Sequence, residues 1–287
     1  MSTPPSVTFP DSVQRVTFTT RRASLAGVRI DADEPHGTVV LVPGFTGSKE
    51  DFIELFVLLS NLGWTVVSYD QLGQHESAGP DDESAYTLDL FAQDLLDIVS
   101  ELPPGPVHLV GHSFGGLVSR HAALIDQGEL LTSLTLFCTG PGPINVDRHE
   151  NLNALVGALP HTPLPIIYEI MEAADRASGW EPPSQEVADL LRSRFLSNSP
   201  YGLRSKASIL LTNTDRTDEL AELARSGFPV FVVYGEDDDA WPTAEQDAVA
   251  AAVGHAAVVV TDAAHSPNVE NPETTAQVWN ALFRSVP

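Results

Sequence analysis

Cysteine is almost missing from this chain. Among its 287 residues Cys138 stands alone, so no disulfide can form within the chain. It sits in the apolar run 134–138 (LTLFC) and reads as buried packing. Positive charge is scarce as well. The 15 Lys and Arg face 39 Asp and Glu, which leaves a formal net charge of −24. A field of that sign repels nucleic-acid phosphates and anionic lipid heads, so neither nucleic acid nor membrane is an expected partner. No apolar run approaches the roughly 20 residues of a membrane span. Residues 1–11 lack the basic start and apolar stretch of a secretory signal. The expectation is a soluble, cytoplasmic protein, monomeric or homodimeric, that acts on a small molecule. Internal repeats are absent, and low-complexity sequence is confined to a Pro-rich start. The histidines are scattered and no H-E-x-x-H occurs, so no metal site is expected. The glycines of 111–116 could pass for a phosphate loop, but the lysine that a P-loop needs is not there. No organic cofactor is expected either.

What is present suits a sizeable core: 43% of the residues are hydrophobic and 19% are charged. Short β-like runs alternate with helical patterns, the signature of a mostly parallel sheet with helices on both faces. Residues 13–20 and 24–31 read as an opening hairpin. Thr38–Val42 (TVVLV) is wholly apolar, as strands buried on both faces are. A helix is expected over 50–62, with Phe52, Leu55, Phe56 and Leu59 on one stripe and Gly63 ending it. Then come strand 64–69, helix 88–102, strand 106–110, helix 114–127 and strand 131–138. Residues 140–205 break the pattern. They are rich in proline and hold helical pieces at 166–177 and 184–197, so they read as an inserted helical cap. The alternation resumes with helix 215–225, strand 229–234, helix 243–253, strand 256–261 and helix 272–283. Thr243-Ala244-Glu245-Gln246 reads as a capping box. The expected domains are a core of 1–139 with 206–287, and a cap of 140–205.

Gly111-His112-Ser113-Phe114-Gly115 matches G-x-S-x-G. By composition alone the pattern would arise by chance in roughly one chain in ten of this length. Its context is more selective. It follows strand 106–110 and opens helix 114–127, the strand–turn–helix setting of a nucleophile elbow. There the serine takes a strained backbone conformation, and side chains two positions before and after it would collide with neighbouring chain. Gly116 lets the helix approach the sheet. The hydroxyl is thereby raised at the start of a helix whose dipole favours negative charge.

With this elbow in place, residues 13–286 resemble the α/β-hydrolase superfamily. The segment Gly47-Ser48-Lys49-Glu50-Asp51-Phe52, with Asp70-Gln71-Leu72-Gly73-Gln74-His75-Glu76-Ser77, is similar to a group of bacterial, often actinobacterial, α/β-fold hydrolases. Many of those read D-Q-R-G where this chain has Leu72 in place of the arginine. The resemblance implies an α/β-hydrolase fold: a mostly parallel eight-stranded sheet with helices on both faces and a helical cap.

A serine hydroxyl needs a base to take its proton. The superfamily order of Ser, then Asp, then His places the base after the last strand, where His265 stands. Of the nine histidines, His112 is the variable position of the elbow, His108 is inside a strand and His121 is mid-helix. His75 follows the fourth strand, His255 precedes the last one, and His36, His149 and His161 lie in loops. The acid belongs after the penultimate strand, in Gly235-Glu236-Asp237-Asp238-Asp239-Ala240-Trp241-Pro242. The family's G-x-x-D spacing, with proline four residues on, selects Asp238, with Asp237 and Asp239 as rivals. Like-charge crowding there would raise some carboxylate pKa values. The oxyanion site needs two backbone N–H donors. Phe114 supplies one and Phe45 the other, in the loop Pro43-Gly44-Phe45-Thr46-Gly47. Many members read His-Gly where this chain has Pro43-Gly44.

These residues point to two-step acyl transfer from a carboxylic ester with a small or medium hydrophobic acyl group. A thioesterase, lactonase, C–C bond hydrolase or cofactor-free perhydrolase would show the same triad. A non-catalytic ligand receptor on this fold is the remaining alternative. Serine at the elbow argues against haloalkane dehalogenases and epoxide hydrolases, which carry aspartate there. Within the cap, Tyr168, Met171 and Trp180 are the candidates for lining the acyl pocket, alongside Ile166 and Ile167.

Overall fold

A computed structural model describes residues 3–286 of the chain. Met1, Ser2 and Pro287, at the ends of the two expected core segments, lie outside the described residues. Eight strands form one sheet: β1 (Gln14–Thr19), β2 (Ser24–Ile30), β3 (Thr38–Val42), β4 (Thr65–Tyr69), β5 (Val107–His112), β6 (Ser133–Phe137), β7 (Val230–Gly235) and β8 (Val258–Val260). Their spatial order is β1-β2-β4-β3-β5-β6-β7-β8. The β1–β2 and β2–β4 pairs are antiparallel. All later pairs are parallel. Strands β3 to β7 are buried along their whole length, which is why their sequences are dominated by apolar residues, with Ser68, His108 and Thr135 buried among them. At the edge, β1 shows an alternating and largely exposed pattern.

Helices flank the sheet. Helices α1 (Ile53–Asn61), α10 (Pro267–Glu270) and α11 (Pro272–Arg284) pack together. So do α2 (Leu88–Ser100), α3 (Phe114–Asp126), α8 (Thr217–Arg225) and α9 (Thr243–Ala252). Between β6 and β8's partner β7 the chain also runs through α4 (His149–Ala158), α5 (Leu164–Ala177), α6 (Gln185–Leu196) and α7 (Pro200–Thr212). Leu159, Leu164, Ile167, Tyr168, Phe195 and Leu203 form a small apolar cluster of their own there. Phe45 packs against both this cluster and the main core, so the loop after β3 joins the two.

Several local readings change. The helix expected over 50–62 begins as a 3₁₀ turn, Lys49–Phe52, before α1 takes over. Strand β5 runs on through Gly111 and His112, so the serine follows the strand with no intervening loop. The capping box at Thr243 does not form: α9 starts after Pro242 with no side-chain cap. Gln246 turns inward instead and is fully buried.

Candidate active site

Ser113 sits between β5 and α3 at φ +55° and ψ −121°. A non-glycine residue holds such a conformation only when its surroundings enforce it. Here the Ser113 amide donates to the Phe137 carbonyl at 2.9 Å, and the Gly116 amide donates to the Ser113 carbonyl at 2.8 Å. The flanking glycines are sterically required. A Cβ at Gly115 would lie 2.3 Å from the Val42 carbonyl oxygen, and one at Gly111 would lie 2.4 Å from that of Gly115.

The loop after β8 brings His265 to the serine. His265 Nε2 stands 3.0 Å from Ser113 Oγ, and its Nδ1 stands 2.8 Å from Asp238 Oδ1. Glu270 Oε2 accepts from the amides on either side of the histidine, Ala264 at 2.6 Å and Ser266 at 3.2 Å. The three adjacent aspartates separate by environment. Asp238 is buried, whereas Asp237 and Asp239 are exposed, and Asp239 pairs with Arg148 instead. Burial pushes the Asp238 carboxyl up. Hydrogen bonds from His265, Gln246 and the Ala240 amide outweigh it and hold the group below the usual carboxylate value. It is therefore an anion facing the imidazole at neutral pH.

The Pro43–Gly47 loop lies against the serine: a Cβ on Gly44 would stand 3.3 Å from Ser113 Cβ. Neither the Phe45 nor the Phe114 amide has a hydrogen-bond partner among the described residues. Two amides are thus left unpaired, one in the loop against Ser113 and one directly after it.

Three supporting residues carry no sequence signal. His112, the variable position of the elbow, is buried and its Nε2 lies 2.8 Å from the His265 carbonyl oxygen. Burial pushes its pKa down to about 3, so it is neutral and its Nε2–H is the donor. Gln246 and Glu270 reach the site only through the fold, one from a helix that reads as capped and one from a turn that reads as loop.

A cavity of about 490 Å³ opens over Ser113 and His265. Its wall includes Phe45, Ile144, Arg148, Asn151, Leu152 and Leu210. Tyr168, Met171 and Trp180 do not line it. Leu164, Ile167, Tyr168 and Met171 fall at helical spacing on α5 and pack in the small apolar cluster with Phe195. Trp180 is 41% exposed beyond the end of that helix.

Among the described residues, two groups of side chains come close enough to hold a cation, His112 with Cys138 and His265, and Glu50 with Asp70 and His75. The first uses the imidazole already bound to Ser113 and Asp238. The second already surrounds an ammonium: Lys49 Nζ lies 2.7 Å from Asp70, 2.7 Å from Glu76 and 3.0 Å from Glu50.

This architecture recurs in known proteins. Over most of its length the chain is similar to a thermophilic esterase from Thermogutta terrifontis. The TM-score is 0.73 at 25% identity, covering 95% of this chain and 99% of that one. Proline iminopeptidase of Lactobacillus delbrueckii subsp. bulgaricus is 33% identical over 104 residues, 35% of each chain. That match spans about a third of the length of the curated relative. Proline iminopeptidase of Lacticaseibacillus rhamnosus is 28% identical over 220 residues, covering 69% of this chain and 73% of that one. Residues 39–278 match the family described as "Alpha/beta hydrolase family". With that match spanning most of the chain, and the sheet order and elbow described above, the protein belongs to the alpha/beta hydrolase family.

Proposed function

We propose that the protein hydrolyses carboxylic esters of small or medium hydrophobic acyl groups through an acyl-enzyme on Ser113. His265 takes the Ser113 proton as Oγ attacks the ester carbonyl. The Phe45 and Phe114 amides donate to the oxyanion. His265 then protonates the departing alcohol. Water repeats the sequence on the acyl-enzyme and releases the acid and free Ser113. Asp238 holds the imidazole tautomer and favours its cationic form. Residues 140–205 would serve as a cap, with Ile144 and Leu152 from that segment, and Leu210 just beyond it, against the acyl chain. The observation that carries this reading is the unbroken hydrogen-bond path from Asp238 through His265 to Ser113. The ester preference is supported by the likeness to the Thermogutta terrifontis esterase. A second reading, release of amino-terminal proline from peptides, is favoured by the two proline iminopeptidase relatives.

A substrate series separates the two. It comprises p-nitrophenyl esters from acetate to dodecanoate, an acyl thioester and prolyl p-nitroanilide. The expected result is highest kcat/KM on the short and medium esters, lost by at least about 10³-fold in Ser113→Ala. A prolyl anilide or thioester preference of about tenfold or more, worth roughly 1.4 kcal/mol in the transition state, would overturn the ester assignment.

A further inference from the structure

We propose that Gln246 is a positioning residue for the Asp238–His265 pair, and that it sets the pH range over which Ser113 is reactive. The inference rests on the function proposed above. Gln246 Nε2 lies 2.9 Å from Asp238 Oδ2, and both side chains are buried. The two carboxylate oxygens have different partners. Oδ1 accepts from His265 Nδ1 at 2.8 Å and from the Ala240 amide at 3.1 Å. Oδ2 has Gln246 as its hydrogen-bond donor.

The orientation of the amide follows from chemistry. A flipped Gln246 would set its carbonyl oxygen against a carboxylate oxygen, acceptor against acceptor, in a buried site. With Nε2 toward Asp238, the Gln246 Oε1 has no partner among the described residues. The side chain leaves its own oxygen unpaired while it donates to Asp238. Unpaired buried oxygens are costly, so the contact to Asp238 is what holds the arrangement. A second, longer contact from Nε2 to the Trp241 carbonyl at 3.4 Å fixes the approach.

Gln246 also competes with His265 for the negative charge of one carboxylate. A donor on Oδ2 draws charge away from Oδ1 and lowers the proton affinity of the imidazole. It therefore sets how strongly Asp238 favours the cationic imidazole that forms when Ser113 gives up its proton. The same bond prevents the carboxylate from rotating away from Nδ1. Asp237 and Asp239 are exposed on either side, and Asp239 takes the Arg148 guanidinium as its donor instead.

The test uses the rate of Ser113 phosphonylation by a fluorophosphonate, followed by intact mass from pH 5 to 9. It needs no knowledge of the natural substrate. Gln246→Met keeps the side-chain length and removes the donor. Its acid limb is expected to move up by about one pH unit, and its plateau rate to fall about tenfold. Gln246→Glu restores a donor while the buried pair of carboxyls shares one proton. Its acid limb should match wild type, and its rate should fall at higher pH where wild type stays level. A Gln246→Met limb that coincides with wild type overturns the proposal. So does a Gln246→Glu profile that superimposes on wild type throughout, and this arm stands even if the Met variant does not fold. No labelling of wild-type Ser113 would remove the hydrolase reading and the role of Gln246 together. Labelling with unmoved limbs would remove the latter alone.

Discussion

At Gly235 the end of β7 leaves no room for a side chain. A Cβ there would stand 2.0 Å from the Ala264 carbonyl oxygen and 2.6 Å from that of Ala263. Both carbonyls belong to the backbone that delivers His265, so an added methyl must displace that side chain. Gly235→Ala should cost about 1–3 kcal/mol of stability, the usual range for overpacking. It should also slow Ser113 phosphonylation by more than about tenfold, because sub-ångström placement of the base matters. Thermal unfolding and labelling kinetics check both. An unchanged melting point with a wild-type rate would mean that the loop is not pinned there. At this scale the sequence is readable where chemistry and spacing are local. Ser113 is marked by its glycines, and Asp238 by its distance from Gly235. His112, Gln246 and Glu270 are not readable. Gln246 looks like a helix cap because its tie to Asp238 spans eight residues, and His112 looks like a variable position because its partner, His265, is 153 residues away.

Helix α7 buries an ammonium-bearing side chain. Lys206 is buried, and its Nζ lies 5.2 Å from the centre of the Phe91 ring and 5.8 Å from that of Phe114. It has no hydrogen-bond partner among the described residues. Burial pushes its pKa down to about 7, with Asp70 pulling the other way. The ordinary value is 10.5. Between those pH values the unfolded chain binds a proton that the folded chain does not, so this residue makes stability rise with pH. Below about pH 7 the folded state carries the full penalty of a buried ammonium. Lys206→Met should therefore stabilise the protein near pH 6 by on the order of a few kcal/mol. The gain should shrink toward pH 10. Urea unfolding at both ends of the range checks it, and a gain independent of pH would contradict the assignment. Among elements, the strands and sheet-packing helices are readable because burial imposes a strong period on them. Helix α4 escapes because its apolar face, Leu152, Leu155 and Val156, is short and only half-buried. Helix α7 escapes because it opens Pro200-Tyr201-Gly202, which reads as loop; its cap comes from the Ser199 side chain.

Across the whole molecule, eight strands among the described residues fall in the expected alternation, and Ser113, Asp238 and His265, which follow β5, β7 and β8, meet at one end of the parallel strands. The parallel sheet is readable as a whole because each inner strand is buried on both faces and mostly apolar. The wall of the cavity is not. It depends on how α4 and α7 sit over the sheet, so Tyr168 and the apolar residues of α5 pack in their own cluster while Ile144, Leu152 and Leu210 line the cavity over the serine. No helix among the described residues is long and apolar enough to cross a membrane. The central claim is that Ser113 is a nucleophile activated by His265. The most direct measurement is site-resolved mass spectrometry of the protein after fluorophosphonate treatment. The account predicts one adduct on Ser113, absent in Ser113→Ala and formed at least about 10²-fold more slowly in His265→Ala. A wild-type protein that stays unmodified, or that is modified equally well in Ser113→Ala, would contradict it.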